Sequence, residues 1–415
     1  MTAPGPSGRL LIDITELFEN PVRTGIQRVV REMLRHWPSD GPAPRTVRFD
    51  PKHGLLGLSA AAVALLTEHD DASRHLPYAE LRAQLHSFAG EPLTELEVTS
   101  SPVLLPEVFY DPARCQFYER RLAAAPGSVA MLFYDFLPFL RPDLFKYSSI
   151  LPYMSYARLA CMAPHAAFIS HQTQQEYANR FLHRRNAMTA MIEASGPVLP
   201  LGADGLALER QVWAPQRQLF ASIGSIDGRK NQHLIVAAFM RLWDAGYSAP
   251  LVLIGRRFDG VAEDWIEAAR HYPQFRWLDA ATDADLAAVL REARATIYVS
   301  DAEGYGLPPV ESLAVGIPVI ASASVPSLAM LPPGGQVRLV EVTVEAIADA
   351  VRAMKPDAAA RRLWREAASL QLGTWYNFAV QTAEWCKTFV EQPSLEAPAT
   401  CLRPLARQAK QRAIV

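Results

Sequence analysis

Along the chain, short continuous apolar runs alternate with longer stretches in which apolar residues recur three and four apart, the mark of buried strands followed by amphipathic helices. Leu10 to Thr15 reads as a first short strand. Asn20 to Gly25 is then a loop, and a helix from about Ile26 to Trp37 carries Ile26, Val29, Val30, Met33 and Leu34 on one face. Strand segments follow at Arg48–Phe49 and Val103–Pro106, around an alanine- and leucine-rich helical region from about Ser59 to Phe88. Ser128 to Tyr134 is a continuous apolar strand ending on Asp135. Ala166 to Ser170 is the next, and Thr173 to Glu176 has capping-box spacing into a helix reaching about Leu182.

The pattern then repeats. Leu219 to Gly224 is a strand, Gly224 and Gly228 loosen the loop after it, and a helix carrying Leu234, Ile235, Ala238, Phe239 and Leu242 stops near Gly246. Leu251–Gly255 and Phe275–Leu278 are further strands, and Thr282 starts a helix. Amphipathic helices follow at Val344–Met354, Ala358–Leu370 and Thr374–Val390.

The most informative stretch lies between the strand Ala295–Ser300 and the strand Ile317–Ala321. Gly304 and Gly306 break regular structure and let backbone approach a ligand. Pro308 and Pro309 suit a first helical turn, and Gly316 with Pro318 ends the helix after about two turns. The loop therefore empties into a helix N-terminus, where free N–H groups and the dipole favour an anion. Glu303 and Glu311 flank it. Carboxylates repel phosphate but accept hydrogen bonds from hydroxyls, so a ligand bearing both phosphates and sugars satisfies every part. Arg229 and Lys230 stand at another helix start, where the dipole disfavours cations, and their position makes sense if they face an anion. Asp135, at the carboxyl end of a buried strand, points into a cleft as a sugar or acceptor-hydroxyl contact, or caps the following turn. Arg256 and Arg257 reach a nucleotide or only solvent. Asp283 and Asp285 fall in the first turn behind the N-cap Thr282, which accounts for them without a metal. His165 and His171 flank a strand without a placed partner and read as structural.

Length and composition narrow the class. At 415 residues two or three domains are expected, and half hydrophobic with a fifth charged is ordinary for a globular protein with a sizeable core. A formal net charge of −2 argues against a general nucleic-acid binder. No apolar run has transmembrane length and Met1 to Gly8 lacks signal-peptide character, so a cytoplasmic protein is expected. Cys115, Cys161, Cys386 and Cys401 are far apart and read as reduced thiols rather than zinc ligands or a disulfide framework.

The spacing of Glu303 and Glu311 around Gly304, Gly306, Leu307, Pro308 and Pro309 resembles the signature of family 4 glycosyltransferases of the GT-B fold. The stretch from Gly224 through Arg229, Lys230 and Asn231 resembles the family's diphosphate-holding segment, and Tyr134–Asp135 with Pro138 resembles a segment of one of its branches. The resemblance implies an α/β chain of two doubly wound Rossmann-like lobes facing a central cleft. Residues 1–200 would form an acceptor-side lobe completed by a helix at about 374–390, residues 201–373 a nucleotide-sugar lobe, and residues 391–415 a basic tail. It implies that Glu303 contacts the donor sugar, Glu311 the ribose, and Arg229 and Lys230 the diphosphate. Gly224, Ser225, Gly304, Gly306 and Leu307 would bring backbone to the donor, Leu278 would line the base pocket, and the Arg23 to Gln27 loop, through Gly25, would face the cleft.

The expected function is that of a retaining glycosyltransferase moving a sugar from a nucleoside diphosphate, guanosine slightly ahead of uridine, to a glycan or lipid-linked acceptor in bacterial surface polysaccharide assembly. Glu303, Asp135, Arg229 and Lys230 are the catalytic candidates. No metal and no cofactor beyond the nucleotide sugar are expected. Arg403, Arg407, Lys410 and Arg412 in the tail would offer peripheral contact with the inner membrane surface, or only a solvated face. A non-catalytic sugar-nucleotide or glycan-binding protein and a nucleotide-sugar epimerase on the same fold remain the alternatives.

Overall fold

A computed structural model describes residues 9–21, 25–67, 77–88, 90–181, 196–257 and 264–390. Among them, β1 (Leu10–Asp13), β2 (Pro44–Asp50), β3 (Gly54–Gly57), β4 (Glu91–Pro92), β5 (Val103–Leu105), β6 (Val129–Phe133) and β7 (His165–Phe168) form one sheet in the order β4-β3-β2-β1-β5-β6-β7. The strands from β2 to β7 in that order are parallel, while β3 and β4 add an antiparallel edge. The strands β8 (Leu219–Ile223), β9 (Leu251–Ile254), β10 (Phe275–Leu278), β11 (Ala293–Tyr298), β12 (Val319–Ser322) and β13 (Gln336–Leu339) form an all-parallel sheet in the order β10-β9-β8-β11-β12-β13.

Burial explains the apolar runs. β1, β5, β6 and β11 are buried at every position because helices cover both faces of their sheets, which is why they lack the alternation of a one-sided strand. The two faces of the first sheet carry separate clusters, one around Leu11, Val103, Phe133 and Phe168, the other around Leu10, Leu104, Ala130 and Leu132. The second cluster runs on without a break into Tyr298, Tyr305 and Val310 of the other lobe. Tyr305 donates from its hydroxyl to the Leu201 carbonyl oxygen (3.0 Å). The helix Trp375–Val390 returns to the first lobe, where Phe378, Cys386 and Phe389 join the same cluster and the Phe389 ring lies 5.1 Å from His165.

Each sheet changes winding direction once, between β1 and β5 in the first and between β8 and β11 in the second. In open parallel sheets ligands bind beyond the carboxyl ends of the strands at such points.

Some local expectations change. The region expected to be helical, about Ser59 to Phe88, holds the helices Ala60–Thr67 and Tyr78–Ser87, while the edge strands β3 and β4, which were not expected, flank it on either side. The helix His171–Arg180 is capped by Ser170, whose hydroxyl accepts from the Thr173 amide (3.1 Å). The Thr173 hydroxyl donates to the Tyr134 carbonyl oxygen (2.9 Å), so it ties this helix to β6 rather than capping it. Leu182 and the basic tail lie outside the described residues. Among the described residues no helix is long and apolar enough to cross a membrane.

Candidate functional site

The site is built around the carboxyl ends of β8 and β11. Beyond β8 the chain passes Gly224 (φ 136°) into a 3-10 turn at Gly228–Lys230, then Asn231 takes a left-handed φ of 54° before the helix Gln232–Asp244. Arg229 and Lys230 therefore precede this helix rather than begin it. Asn231 is held there because its side-chain amide donates to the Val299 carbonyl oxygen (3.1 Å) and to Asp301 (2.6 Å). The Asp301 amide in turn donates to the Arg229 carbonyl oxygen (2.8 Å), which locks the two loops together.

Glu303 is placed by three groups. Tyr298 and Ser300 donate hydroxyls to its Oε1 (2.6 and 2.9 Å), and Arg229 Nη1 lies 3.2 Å from its Oε2. Arg229 is clamped from behind by Asp227 Oδ2 (3.0 Å) and the Ala302 carbonyl oxygen (2.9 Å). Burial works to lower the Arg229 pKa, but Glu303 and Asp227 outweigh it and hold the guanidinium firmly charged. Lys230 Nζ reaches Ser225 Oγ (3.3 Å) and lies over the Tyr298 ring at 5.9 Å. Burial lowers its pKa and Arg229 adds to that, while Glu303 opposes it. An amine so poorly solvated gains from meeting an anion. A Cβ on Gly224 would stand 3.1 Å from Lys230 Nζ, so this glycine leaves the room that the amine occupies.

Just past Glu303 the chain presses against the other lobe. A Cβ on Gly304 would lie 2.2 Å from the Tyr134 carbonyl oxygen and 3.0 Å from the Asp135 Cβ, so only glycine permits this approach. Asp135 is thereby brought to the same place as Arg229 and Glu303. Its Oδ1 accepts from the Leu137 amide (3.0 Å), so it caps the turn as well as facing the cleft. Burial raises its pKa, the Leu137 amide and Arg229 lower it, and Glu303 raises it again.

Gly306 (φ 87°) then opens the helix Leu307–Ala314, and Gly316 (φ 82°) closes it. Pro308 and Pro309 remove two N–H donors from the first turn, which thins the anion site expected there. Glu311 is buried within this helix, with 7% of its side chain exposed, and its Oε1 lies 2.5 Å from Arg28 Nη2 of the first lobe. Burial raises its pKa; Arg28 counters, and Glu32 adds to the rise.

Other expected positions sort as follows. Gly25 opens the helix Gly25–Arg35 without a left-handed φ, with open space at its Cβ; Arg23 and Thr24 lie outside the described residues. The Leu278 carbonyl oxygen accepts from the Gly255 amide (3.0 Å) beside β9, and a Cβ on Gly255 would stand 2.2 Å from the Gly224 carbonyl oxygen. Asp285 is used in a capping box with Thr282, accepting from its amide (2.9 Å) and hydroxyl (2.7 Å). Sequence reasoning passed over Arg28, Asp227, Tyr298 and Ser300. For Asp227 the signal was present, a carboxylate two residues before an arginine in a glycine-bounded turn. Arg28 carries no local signal at all.

Comparison with known proteins bears on the fold and the second lobe. Residues 207–371 match the family described as glycosyl transferases group 1. The chain is 26% identical over 343 residues to the serotype-specific mannosyltransferase WbdA of Escherichia coli, covering 75% of this chain. It spans only 37% of that relative's length. Among solved structures, sucrose-phosphate synthase from Thermosynechococcus elongatus superposes with a TM-score of 0.61 at 16% identity, over 92% of this chain and 99% of that one. Anabaena HepE in complex with UDP and glucose does so with a TM-score of 0.57 at 14% identity, over 92% and 99%. The chain carries the GT-B fold, and its match to the glycosyl transferases group 1 family lies in the second lobe.

Proposed function

We propose that this protein is a retaining glycosyltransferase that moves a hexose, mannose first among the candidates, from a nucleoside diphosphate to a growing surface polysaccharide or its lipid-linked precursor at the cytoplasmic face of a membrane. The observation that carries this reading is the meeting of Glu303, Arg229 and Asp135 from two lobes at one point of the cleft, with Lys230 beside them. The name of the WbdA relative supplies the sugar and the polysaccharide setting. Guanosine remains slightly ahead of uridine as the base.

In this reading Arg229 and Lys230 face the diphosphate and stabilise the charge that grows on it as the bond to the anomeric carbon breaks, with no metal required. Glu303, fixed by Tyr298 and Ser300, accepts hydroxyls of the sugar, and Glu311 accepts those of the ribose. The acceptor oxygen bonds to the anomeric carbon from the face the diphosphate leaves, and its proton passes to a leaving phosphate oxygen. Asp135 contacts the sugar or the acceptor hydroxyl from the first lobe.

The test is incubation of the purified protein with GDP-mannose and UDP-glucose in EDTA, with transfer followed on a lipid-linked glycan acceptor and anomeric configuration read by NMR. Transfer with retention, lost in Glu303→Ala and Arg229→Ala, supports the reading. Donor binding without transfer to any acceptor favours the non-catalytic alternative, and transfer with inversion removes the proposed mechanism.

A further inference from the structure

Glu311 and its arginine come from different lobes. Arg28 lies one turn into the helix Gly25–Arg35, and its guanidinium passes over the Trp375 ring (5.8 Å to the centroid) to reach Glu311 on the helix Leu307–Ala314. The linker between lobes is shaped to admit it. A Cβ on Gly205 would stand 1.6 Å from Arg28 Nη2 and 3.0 Å from Glu311 Oε1, so any other residue there would push the guanidinium out. Beside it the chain is pinned where it returns, with the Ala203 amide donating to the Gly373 carbonyl oxygen (2.9 Å) and the Trp375 amide to Asp204 (2.8 Å).

Arg28 Nη2 and Glu311 Oε1 are 2.5 Å apart, an ion pair buried across the lobe boundary in which Arg28 opposes the rise of the Glu311 pKa by charge first and by hydrogen bonding second.

We propose that Arg28 is the positioning residue for the ribose carboxylate, holding Glu311 across the lobe boundary so that nucleoside recognition needs both lobes. This rests on the donor-site reading above and adds to it a residue of the opposite lobe. Arg28 acts through charge. Two charged side chains act on Glu311: Arg28, and Glu32 one turn further along the same helix, which opposes it. The linker contributes Gly205 and no charge at this contact, and its Arg210 donates instead to the Ala367 carbonyl oxygen (3.1 Å) on the neighbouring helix Asp357–Ser369. Without Arg28, burial and Glu32 act unopposed, and Glu311 takes up a proton at a higher pH than in the intact protein.

The experiment measures the affinities of GDP and UDP, each beside its 2′,3′-dideoxy form, by calorimetry from about pH 5.5 to about pH 8. The proteins are wild type, Arg28→Ala, Arg28→Lys, Gly205→Ala and Glu311→Gln, each first shown to retain wild-type circular dichroism. Wild type should prefer the ribose form by about tenfold or more at every pH, the worth of a hydrogen bond to a charged group. Arg28→Ala should lose that preference at the acid end and regain part of it as pH rises, and Arg28→Lys should restore most of it. Gly205→Ala, which displaces the guanidinium without removing its charge, should weaken the preference too. An unchanged ribose preference and pH profile in Arg28→Ala overturns the inference while leaving the donor site standing. If wild type binds neither diphosphate, the donor-site reading fails and this inference falls with it.

Discussion

Each lobe carries a cluster of carboxylates around an arginine where its sheet reverses winding, and the two clusters are built to opposite ends. In the first lobe, beyond β1 and β5, Arg114 holds Asp13 with two nitrogens (2.9 and 3.0 Å) and reaches Glu107 with one (3.1 Å). Tyr118 donates to Asp13 (2.6 Å), and Glu107 accepts from the amides of Glu16 and Leu17 (2.8 and 2.7 Å). Asp13, Glu107, Arg114 and Tyr118 are all essentially inaccessible to solvent. In the second lobe, beyond β8 and β11, Arg229 and Glu303 have 21% and 12% of their side chains exposed, and the neighbouring amine of Lys230 is held by one hydroxyl at 3.3 Å. The first cluster is sealed, while the second keeps part of its charge within reach of the cleft, as the proposed donor site requires. A switch point therefore marks where a parallel sheet can bind, and burial decides whether it does.

The largest expected effect tests the sealed cluster. Arg114→Leu leaves Asp13 and Glu107 facing each other without a cation, which should cost about 3–5 kcal/mol in urea unfolding. Burial already pushes the Glu107 carboxyl up to about 7 against the pull of Arg114. A carboxyl raised in the fold binds protons more readily there than in the unfolded chain. Its contribution to stability is thus fully present below the ordinary carboxylate range and is lost as pH rises through about 7. Glu107→Gln should flatten that part of the pH dependence. If Arg114→Leu costs less than about 1 kcal/mol but abolishes transfer, the first cluster is a site after all and the contrast collapses.

How much of this was legible in the sequence follows from the same contrast. Glu303, Glu311, Arg229 and Lys230 stood out because glycines and prolines within a few residues of each announce a loop at a strand end, and such punctuation is local. Asp135 stood out because a single acid ends an apolar run. Asp13, Glu107 and Arg114 gave no such sign, since Arg114 meets Asp13 across 101 positions of sequence. Arg28 was hidden for a related reason: its helix was read for its apolar face, and its partner exists only once the lobes meet over Gly205. The edge strands β3 and β4 are two to four residues long and too short to show a period.

At the second cluster, Arg229→Ala should lower kcat by about 10²–10³ while costing less stability than Arg114→Leu, because Arg229 and Glu303 keep 21% and 12% of their side chains exposed to water where Arg114 is sealed. A loss of several kcal/mol would move this cluster into the structural class. Gly304→Ala tests whether the lobes must touch. Its methyl group would strike the Tyr134 carbonyl oxygen and part Asp135 from Glu303, and a displacement near 1 Å should reduce kcat by about a hundredfold with donor affinity nearly unchanged. Steady-state kinetics at saturating donor separates these outcomes, and an unaltered kcat would show that Asp135 takes no part in the reaction.

The smallest effect concerns Lys230, whose amine burial holds below the ordinary lysine value. In the ligand-free fold such a group binds its proton less readily than in the unfolded chain, so it favours folding increasingly as pH rises toward the ordinary lysine range. A bound diphosphate reverses the balance by stabilising the ammonium, so binding takes up a proton wherever Lys230 is partly neutral. Affinity for the diphosphate should therefore fall as pH climbs through the Lys230 pKa of the free protein, by at most about tenfold per pH unit. The uptake should appear in calorimetry as a dependence of binding enthalpy on the buffer's ionisation heat. Lys230→Arg, charged at every accessible pH, should bind with comparable strength near neutrality and lose both signatures. If the slope survives in Lys230→Arg, the proton belongs to another group, and the open cluster meets its anion through Arg229 alone.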